Sequence, residues 1–314
     1  MAGVVVSMTR AFALTNLFEV LLLALFVSIG DLRSRFCEVF KDPKVLIIFI
    51  FWGWIGCATF WGVAPLEDRL DDVVSWRKLL LVPFAIVLFN SLRSRMILTG
   101  IFVATCSAYM FGSWLGYASI IELDRAPHEL LENHSTQGIL FVISGMICVL
   151  WAANIKSYLA LKVMLAALTV GFFLNVVVIV SGRSGYVSLI AVCIVVAWFI
   201  VPSKQRLASA VCITLFLGFV FSVSEMPRNR ILQAFDEIVS VGSASESSSL
   251  GIRVVMWRNT ITMIVEKPLF GSGSGSYSRD YGQIVEGGTS WHHAPTDNPH
   301  QQYLHIAAEY GLIG

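Results

Sequence analysis

Residues 158–180 read YLALKVMLAALTVGFFLNVVVIV and contain a single charged side chain, Lys162. A helix needs about 20 apolar residues to cross the hydrocarbon core of a bilayer, and this stretch is long enough. Across the chain the hydrophobic fraction is 56%, the charged fraction is 14% and mean hydropathy is +0.73. Soluble domains carry about 25% charged residues. The sequence therefore predicts an integral membrane protein.

Other apolar segments meet or nearly meet the same length, and together they predict a bundle of about eight spans. They are residues 11–29, 45–64, 78–91, 96–119, 137–154, 184–201 and 206–224. A further helix is expected to start near residue 299. The residues from there to 314 can extend only about 24 Å as a helix, so this last span is expected to be incomplete and the chain to be a fragment.

The predicted fold is all-α, a polytopic transmembrane helix bundle with a helical periplasmic segment before the last span. It divides into the bundle over 1–224, the periplasmic segment with an amphipathic helix over 225–298, and the start of a further transmembrane helix over 299–314.

Loop charges predict the orientation of these spans. Basic residues are concentrated in alternate loops, which the positive-inside rule assigns to the cytoplasm: Arg33, Arg35, Lys41, Lys44, Arg93, Arg95, Lys204 and Arg206. The loop near residues 67–72 is acidic, although three basic residues (Arg69, Arg77 and Lys78) count against placing it outside. On balance the amino terminus is expected outside, and the segment before His300 should share the extracytoplasmic face with Arg183.

The segment around His300 carries the main catalytic hypothesis. Asn298 is a good N-cap, and Pro299 suits the first position of a helix, where its missing N–H costs nothing. His300 would then lie among free backbone N–H groups at the positive end of the helix dipole. Because that field disfavours imidazolium, the ring is expected to stay neutral and able to accept a proton. Gly311 and Gly314 are expected below His300 on one helix face, where small residues allow a neighbouring helix to pack closely.

Two arginines are candidates for binding an anion. Arg183 opens a span after Ser181-Gly182, and a guanidinium beside the free N–H groups of a helix start suits a diphosphate. Residues 252–267 show helical spacing of apolar side chains, which predicts an amphipathic helix on the membrane surface. In that helix Arg253, Thr260 and Lys267 recur at intervals of seven and could face the same anion.

Simpler interpretations remain open for each of these residues. Arg183 could be an interfacial anchor and Arg253 a solvated charge. The histidines near His300 show no zinc-ligand spacing, so no metal site is predicted. Gly271–Ser276 follows no strand, which favours a flexible loop over a nucleotide-binding turn. Asn175 and Glu309 lie in apolar segments and are expected to pair with polar partners.

At these residues the chain resembles the O-antigen ligase family of bacterial envelope glycosyltransferases. The matching elements are the external Arg183, the motif Gly251–Trp257 with Arg253, the turn Pro268–Gly273, and the carboxyl-terminal motif. That last motif is His300-Gln301, nine residues, then Gly311-x-x-Gly314, which fits the family pattern in full. The resemblance covers roughly residues 170–314 by motif and the earlier part by its pattern of spans.

The resemblance implies transfer of a glycan from undecaprenyl diphosphate to lipid A–core oligosaccharide at the periplasmic face of the bacterial inner membrane. Arg183 and Arg253 would bind the diphosphate, and His300 would deprotonate or orient the acceptor hydroxyl. The reaction would be inverting and would need no metal or other cofactor; the expected partners are the two lipid-linked substrates and membrane lipids, and not nucleic acid. Two related activities stay possible, O-antigen polymerase and protein O-oligosaccharyltransferase. A transporter or flippase is disfavoured because the sequence shows no internal repeat and few intramembrane charges.

Overall fold

The structure is a computed structural model that describes residues 12–121, 130–131, 134–155, 157–180, 183–199, 202–205, 208, 211, 249–286 and 295–314. Secondary structure in these residues is entirely helical, which confirms the predicted fold class. In chain order the α-helices are α1 (Phe12–Ser28), α2 (Gly30–Val39), α3 (Pro43–Ala58), α4 (Leu66–Ser75), α5 (Leu81–Leu88), α6 (Leu92–Tyr117), α7 (His134–Asn154), α8 (Leu159–Val178), α9 (Arg183–Phe199), α10 (Ser249–Glu266), α11 (Tyr277–Val285) and α12 (Gln302–Tyr310).

Three helices in the described ranges, α6, α7 and α8, are long and apolar enough to cross a membrane. Shorter apolar helices cover Glu19–Ser28, Pro43–Ala58 and Ser184–Trp198. These six segments coincide with predicted spans, whereas the predicted span 206–224 lies almost wholly outside the described residues.

The span predicted over 78–91 is not one continuous helix. A 3₁₀ helix, Trp76–Leu80, passes into α5, and α5 has only eight residues. Those eight residues rise about 12 Å, less than half the hydrocarbon thickness. The apolar composition of this segment was read correctly, but its predicted length as a single helix was wrong.

The chain folds into two compact units. The first comprises Met1–Leu25 and Ser91–Gln233, and the second comprises Phe26–Asn90 and Ala234–Gly314. The second unit therefore combines an early and a late part of the sequence.

The first unit is built on α6 to α9. A Cβ on Gly138 of α7 would lie 3.0 Å from the Cα of Gly185 of α9, and a Cβ on Gly185 would lie 3.4 Å from the Cα of Gly138, so the two helix backbones approach closely at this pair. Such small residues let membrane helices approach closely. Asn175 of α8 donates through Nδ2 to Ser113 Oγ of α6 at 3.1 Å, which confirms that this intramembrane amide has a polar partner.

In the second unit, α3 has a well-defined start. Asp42 Oδ1 accepts a hydrogen bond from Lys44 N at 2.9 Å, and Pro43 occupies the first helical position. Both features are favoured at helix N-termini. The last turn of α3 packs against α12, where Ile55, Ala58 and Tyr310 form a buried cluster.

The other side of α12 packs against α10 and α11. Their shared buried cluster consists of Met263, Tyr277, Tyr281, Val285 and Ala308. Contacts on both sides fix α12, and they thereby fix the position of the residues that lead into it.

Candidate active site

The helix that follows His300 starts later than predicted. α12 begins at Gln302, and its N-cap is Gln301, whose side-chain oxygen accepts a hydrogen bond from Leu304 N at 2.6 Å. Asn298 is therefore not the N-cap, and Pro299 is not the first helical residue. Instead, Asn298 Oδ1 accepts a hydrogen bond from the backbone N–H of His300 at 2.7 Å. This local turn occupies the side-chain oxygen that would otherwise cap a helix.

His300 lies two residues before α12, and its side chain is exposed. Its φ angle is 55°, in the left-handed region that few residues other than glycine adopt. Because His300 precedes the N-cap, it does not lie among the first N–H groups of the helix. The prediction that the ring sits within the first turn was wrong, whereas the exposure of the ring fits a role in accepting a proton from a substrate.

A hydrogen bond links α10 to the backbone beside His300. Trp257 Nε1 donates to the carbonyl oxygen of Pro299 at 2.9 Å. Arg253 lies one turn before Trp257 in α10, and residues four apart share a helix face with about 5–6 Å between their Cβ atoms. The guanidinium of Arg253 is exposed. The structure thus brings the face of α10 that carries Arg253 next to the segment that carries His300.

Arg183 is the first residue of α9, at the helix start that the sequence predicted. It belongs to the first unit, whereas Arg253 and His300 belong to the second. The side chain of Arg183 lies outside the described part of the structure.

The other two members of the predicted stripe on α10 bond to groups of the chain itself. Thr260 is fully buried, and its hydroxyl bonds to Met256 O at 2.7 Å and to the Tyr277 hydroxyl at 2.8 Å. The Lys267 ammonium donates to Ser272 Oγ at 3.1 Å and lies 3.5 Å from Asp280 Oδ2. The anion-binding role of Arg253 stays a prediction.

The sequence predicted that Gly311 and Gly314 lie on one face of a continuous helix, and this prediction was wrong. Gly311 has φ 74° and ends α12, with its N–H bonded to Ala307 O at 3.1 Å. A Cβ there would lie 2.0 Å from Leu269 O, and a Cβ on Gly314 would lie 2.8 Å from Trp54 Nε1. Both glycines lie at close approaches: Gly311 meets the loop at Leu269, and Gly314 meets the indole of Trp54, which belongs to α3.

The loop approached by Gly311 is the glycine- and serine-rich segment Pro268–Ser276. Its backbone bonds directly to the end of α12, through Ser272 N to Ala308 O at 3.0 Å and Gly273 N to Glu309 O at 2.8 Å. Leu312 N returns a bond to Pro268 O at 2.9 Å. The Pro268–Gly273 turn and the Gly311-x-x-Gly314 motif therefore form one interlocked structure.

The flexible character predicted for Gly271–Ser276 was wrong, because nearly all of it is buried. Its N–H groups bond to internal carboxylates: Gly275 N to Asp72 Oδ2 at 3.2 Å and Tyr277 N to Glu309 Oε1 at 3.1 Å. Backbone N–H groups of this kind can bind phosphate. Here two of them are occupied by carboxylates of the chain itself, which argues against a nucleotide site.

The sequence did not predict the cluster of ionisable side chains beneath this loop, which consists of Asp72, His305 and Glu309. Glu309 is 3% exposed, and burial, reinforced by the nearby Asp72 carboxylate, raises the pKa of Glu309 to about 8. Burial also lowers the pKa of His305, whose Nε2 lies 3.8 Å from Glu309 Oε2. Both shifts favour the neutral forms, so this contact is not an ion pair at neutral pH. The bond from Tyr277 N confirms that Glu309 has a polar partner.

Comparison with known proteins gives one match. Residues 168–314 match the family model described as O-antigen ligase. No curated protein and no solved structure matches the chain. The matched segment contains Arg253, His300 and the interlocked glycine motifs, and the described part of the same chain includes three helices long and apolar enough to span a membrane. Residues 168–314 are thus similar to the O-antigen ligase family, which indicates a glycosyltransferase-type enzyme of the ligase and polymerase group.

Proposed function

We propose that the protein transfers O-antigen glycan from undecaprenyl diphosphate to lipid A–core oligosaccharide during lipopolysaccharide assembly. The site would face the periplasm in the bacterial inner membrane. His300 would act as the base, and Arg183 and Arg253 would bind the diphosphate of the donor. The family that residues 168–314 match supports this class of lipid-linked substrates.

The observation that carries the proposal is the hydrogen bond from Trp257 to Pro299. It ties the helix face of Arg253 to the backbone beside His300 with an N···O distance of 2.9 Å. A base and a cation on adjacent segments match the two charges that develop in glycosyl transfer. The acceptor hydroxyl must lose a proton while the diphosphate leaving group gains negative charge.

The proposed reaction balances without a cofactor. The acceptor oxygen attacks the anomeric carbon of the first donor sugar, and a new C–O bond forms as the bond from that carbon to the diphosphate breaks. The acceptor proton passes to an imidazole nitrogen of His300, and the departing undecaprenyl diphosphate keeps the electron pair. Attack from the face opposite the leaving group inverts the anomeric centre. Guanidinium groups suit the leaving diphosphate because they present several N–H donors to phosphate oxygens.

Substitution of His300 and Arg253 tests the proposal in full-length protein supplied with donor and lipid A–core acceptor. We expect His300→Ala to lower the transfer rate by about 10²–10⁴-fold, the usual contribution of a positioned base. Arg253→Lys should lower the rate because lysine cannot give bidentate contact. Arg258→Lys is the matched control, since Arg258 is exposed on the same helix but lies about 140° from Arg253 around its axis.

Normal transfer by His300→Ala would remove the base from the mechanism. Equal losses in the two arginine variants would mean that the loss at Arg253 does not report a specific bidentate contact with the diphosphate. Transfer should also continue unchanged in the presence of a chelator, and its abolition would reinstate a metal-dependent reaction.

A further inference from the structure

The peptide group between Pro299 and His300 is held at both of its polar ends. Its carbonyl oxygen accepts from Trp257 Nε1 at 2.9 Å, and its N–H donates to Asn298 Oδ1 at 2.7 Å. One hydrogen bond fixes the position of a peptide group and leaves rotation about the bond axis possible. Two bonds at opposite ends fix the orientation of the peptide plane.

The orientation of this peptide plane matters because it determines φ of His300, which is 55°. A left-handed conformation is unfavourable for a residue with a Cβ, and surrounding contacts must hold it in place. On the far side, the helix N-cap formed by Gln301 fixes the next residue through its 2.6 Å bond to Leu304 N. The direction in which the exposed imidazole leaves the backbone thus depends on a small number of identifiable bonds.

We infer that Trp257 and Asn298 are positioning residues for His300, and that they hold its imidazole in the left-handed geometry in which it meets the acceptor hydroxyl. This inference rests on the proposed function of His300. Neither side chain needs to touch a substrate, because each acts on the backbone that carries the base. A base that is displaced by about 1 Å can lose 10²-fold in rate, so loss of either bond should lower turnover.

The indole of Trp257 has a close match elsewhere in the second unit. Trp61 Nε1 donates to the carbonyl oxygen of Phe270 at 3.1 Å, the same kind of bond at a point that does not hold His300. Trp61→Phe and Trp257→Phe therefore remove one indole N–H each and keep an aromatic ring. The comparison separates loss of a hydrogen bond in general from loss of the bond that orients the base.

The experiment measures kcat and KM for both substrates in full-length protein carrying each change. We expect Trp257→Phe to lower kcat by about 10-fold to 10²-fold with both KM values within about twofold, because the groups that bind the substrates stay in place. Trp61→Phe should keep kcat within about twofold of the unchanged protein. Asn298→Ala should behave like Trp257→Phe, and Asn298→Asp should restore most of kcat because its carboxylate can still accept the His300 N–H.

The comparison of Asn298→Ala with Asn298→Asp still tests the inference if Trp257→Phe does not fold. The inference is overturned if Trp257→Phe and Asn298→Ala turn over normally while His300→Ala is inactive. It is also overturned if Trp61→Phe loses as much kcat as Trp257→Phe, or if Asn298→Asp is as defective as Asn298→Ala. Normal activity of His300→Ala would be a different result, since it would end the proposed function itself.

Discussion

Gly311 connects the end of α12 to the glycine-rich loop, and its missing side chain makes the connection possible. Its φ of 74° is unfavourable for a residue with a Cβ, and that Cβ would lie 2.0 Å from Leu269 O. The atom it would meet belongs to the backbone, which cannot rotate away. We expect Gly311→Ala to lower the free energy of unfolding by roughly 2–4 kcal/mol. Thermal unfolding of the purified protein in detergent measures this effect.

Gly282 provides the matched control for that substitution. It lies within α11, and a Cβ placed on it meets nothing within 4 Å. Alanine is favoured over glycine in a helix interior by about 0.5–1 kcal/mol, so Gly282→Ala should leave stability unchanged or raise it. Similar unfolding midpoints for the two alanine variants would contradict the close approach at Gly311.

At the scale of helices, Glu309 joins α12 to the start of α11, and its proton should make stability depend on pH. Burial, with the nearby Asp72 carboxylate, raises the pKa of Glu309 to about 8 from the ordinary glutamate value of 4.5. Between these values the folded protein holds a proton that the unfolded chain has released. Stability contributed by this group is therefore complete below about pH 4.5 and falls as pH rises towards about 8, with a limiting slope of about 1.4 kcal/mol per pH unit.

Glu309→Gln removes this titration and keeps an oxygen that can accept from Tyr277 N. We expect the variant to resemble the unchanged protein near pH 4 and to be more stable than it near pH 9, by a difference that grows from about pH 4.5 to about pH 8. Glu266→Gln, at an exposed position on α10, is the control and should leave the pH profile unchanged. Melting curves over this pH range decide the question, and parallel profiles for Glu309→Gln and the unchanged protein would refute a buried neutral carboxyl group. Asp72 and His305 titrate in both proteins, so their contributions largely cancel in the comparison.

The sequence predicted helices better than it predicted their ends. The spans α6, α7 and α8 were placed within a few residues because a bilayer imposes both a length and an apolar composition. The start of α12 was missed because Asn298 and Gln301 can both cap a helix. In the fold, Asn298 accepts from the backbone N–H of His300 instead, and the carbonyl of Pro299 accepts from Trp257, 42 positions away in the sequence.

The buried Gly271–Ser276 loop shows a second limit of local sequence patterns. Its composition is typical of flexible segments. Its rigidity comes from carboxylates distant in sequence, as in the bond of Gly275 N to Asp72 Oδ2, 203 positions away. No pattern within a short window reveals such a partner, whereas His300 and Arg253 were found because short motifs surround them.

On the scale of the whole molecule, the proposed function requires His300 to face the periplasm. Within the second unit, α3 offers a way to test this, because its two ends meet different groups. Its last turn contacts α12, through Trp54 Nε1 to Tyr310 O at 3.1 Å, whereas its first residue follows α2 and the exposed Cys37. The 16 residues of α3 rise about 24 Å. If α3 spans most of the membrane and Cys37 lies near the cytoplasmic face, the end of α12 that holds Tyr310 lies towards the periplasmic face. The start of α12 is eight residues from Tyr310, a helix rise of about 12 Å.

Labelling with a membrane-impermeant maleimide measures this arrangement. Tyr303 is 83% exposed at the start of α12, so Tyr303→Cys provides an accessible thiol close to His300. In chains that keep only one cysteine, we expect the thiol at position 303 to react in intact spheroplasts. Cys37 should react only after the membrane is permeabilised, since the basic residues around it favour the cytoplasm. Reaction of Cys37 in intact spheroplasts, with protection of position 303, would place His300 on the cytoplasmic face, where it could not act on a periplasmic glycan.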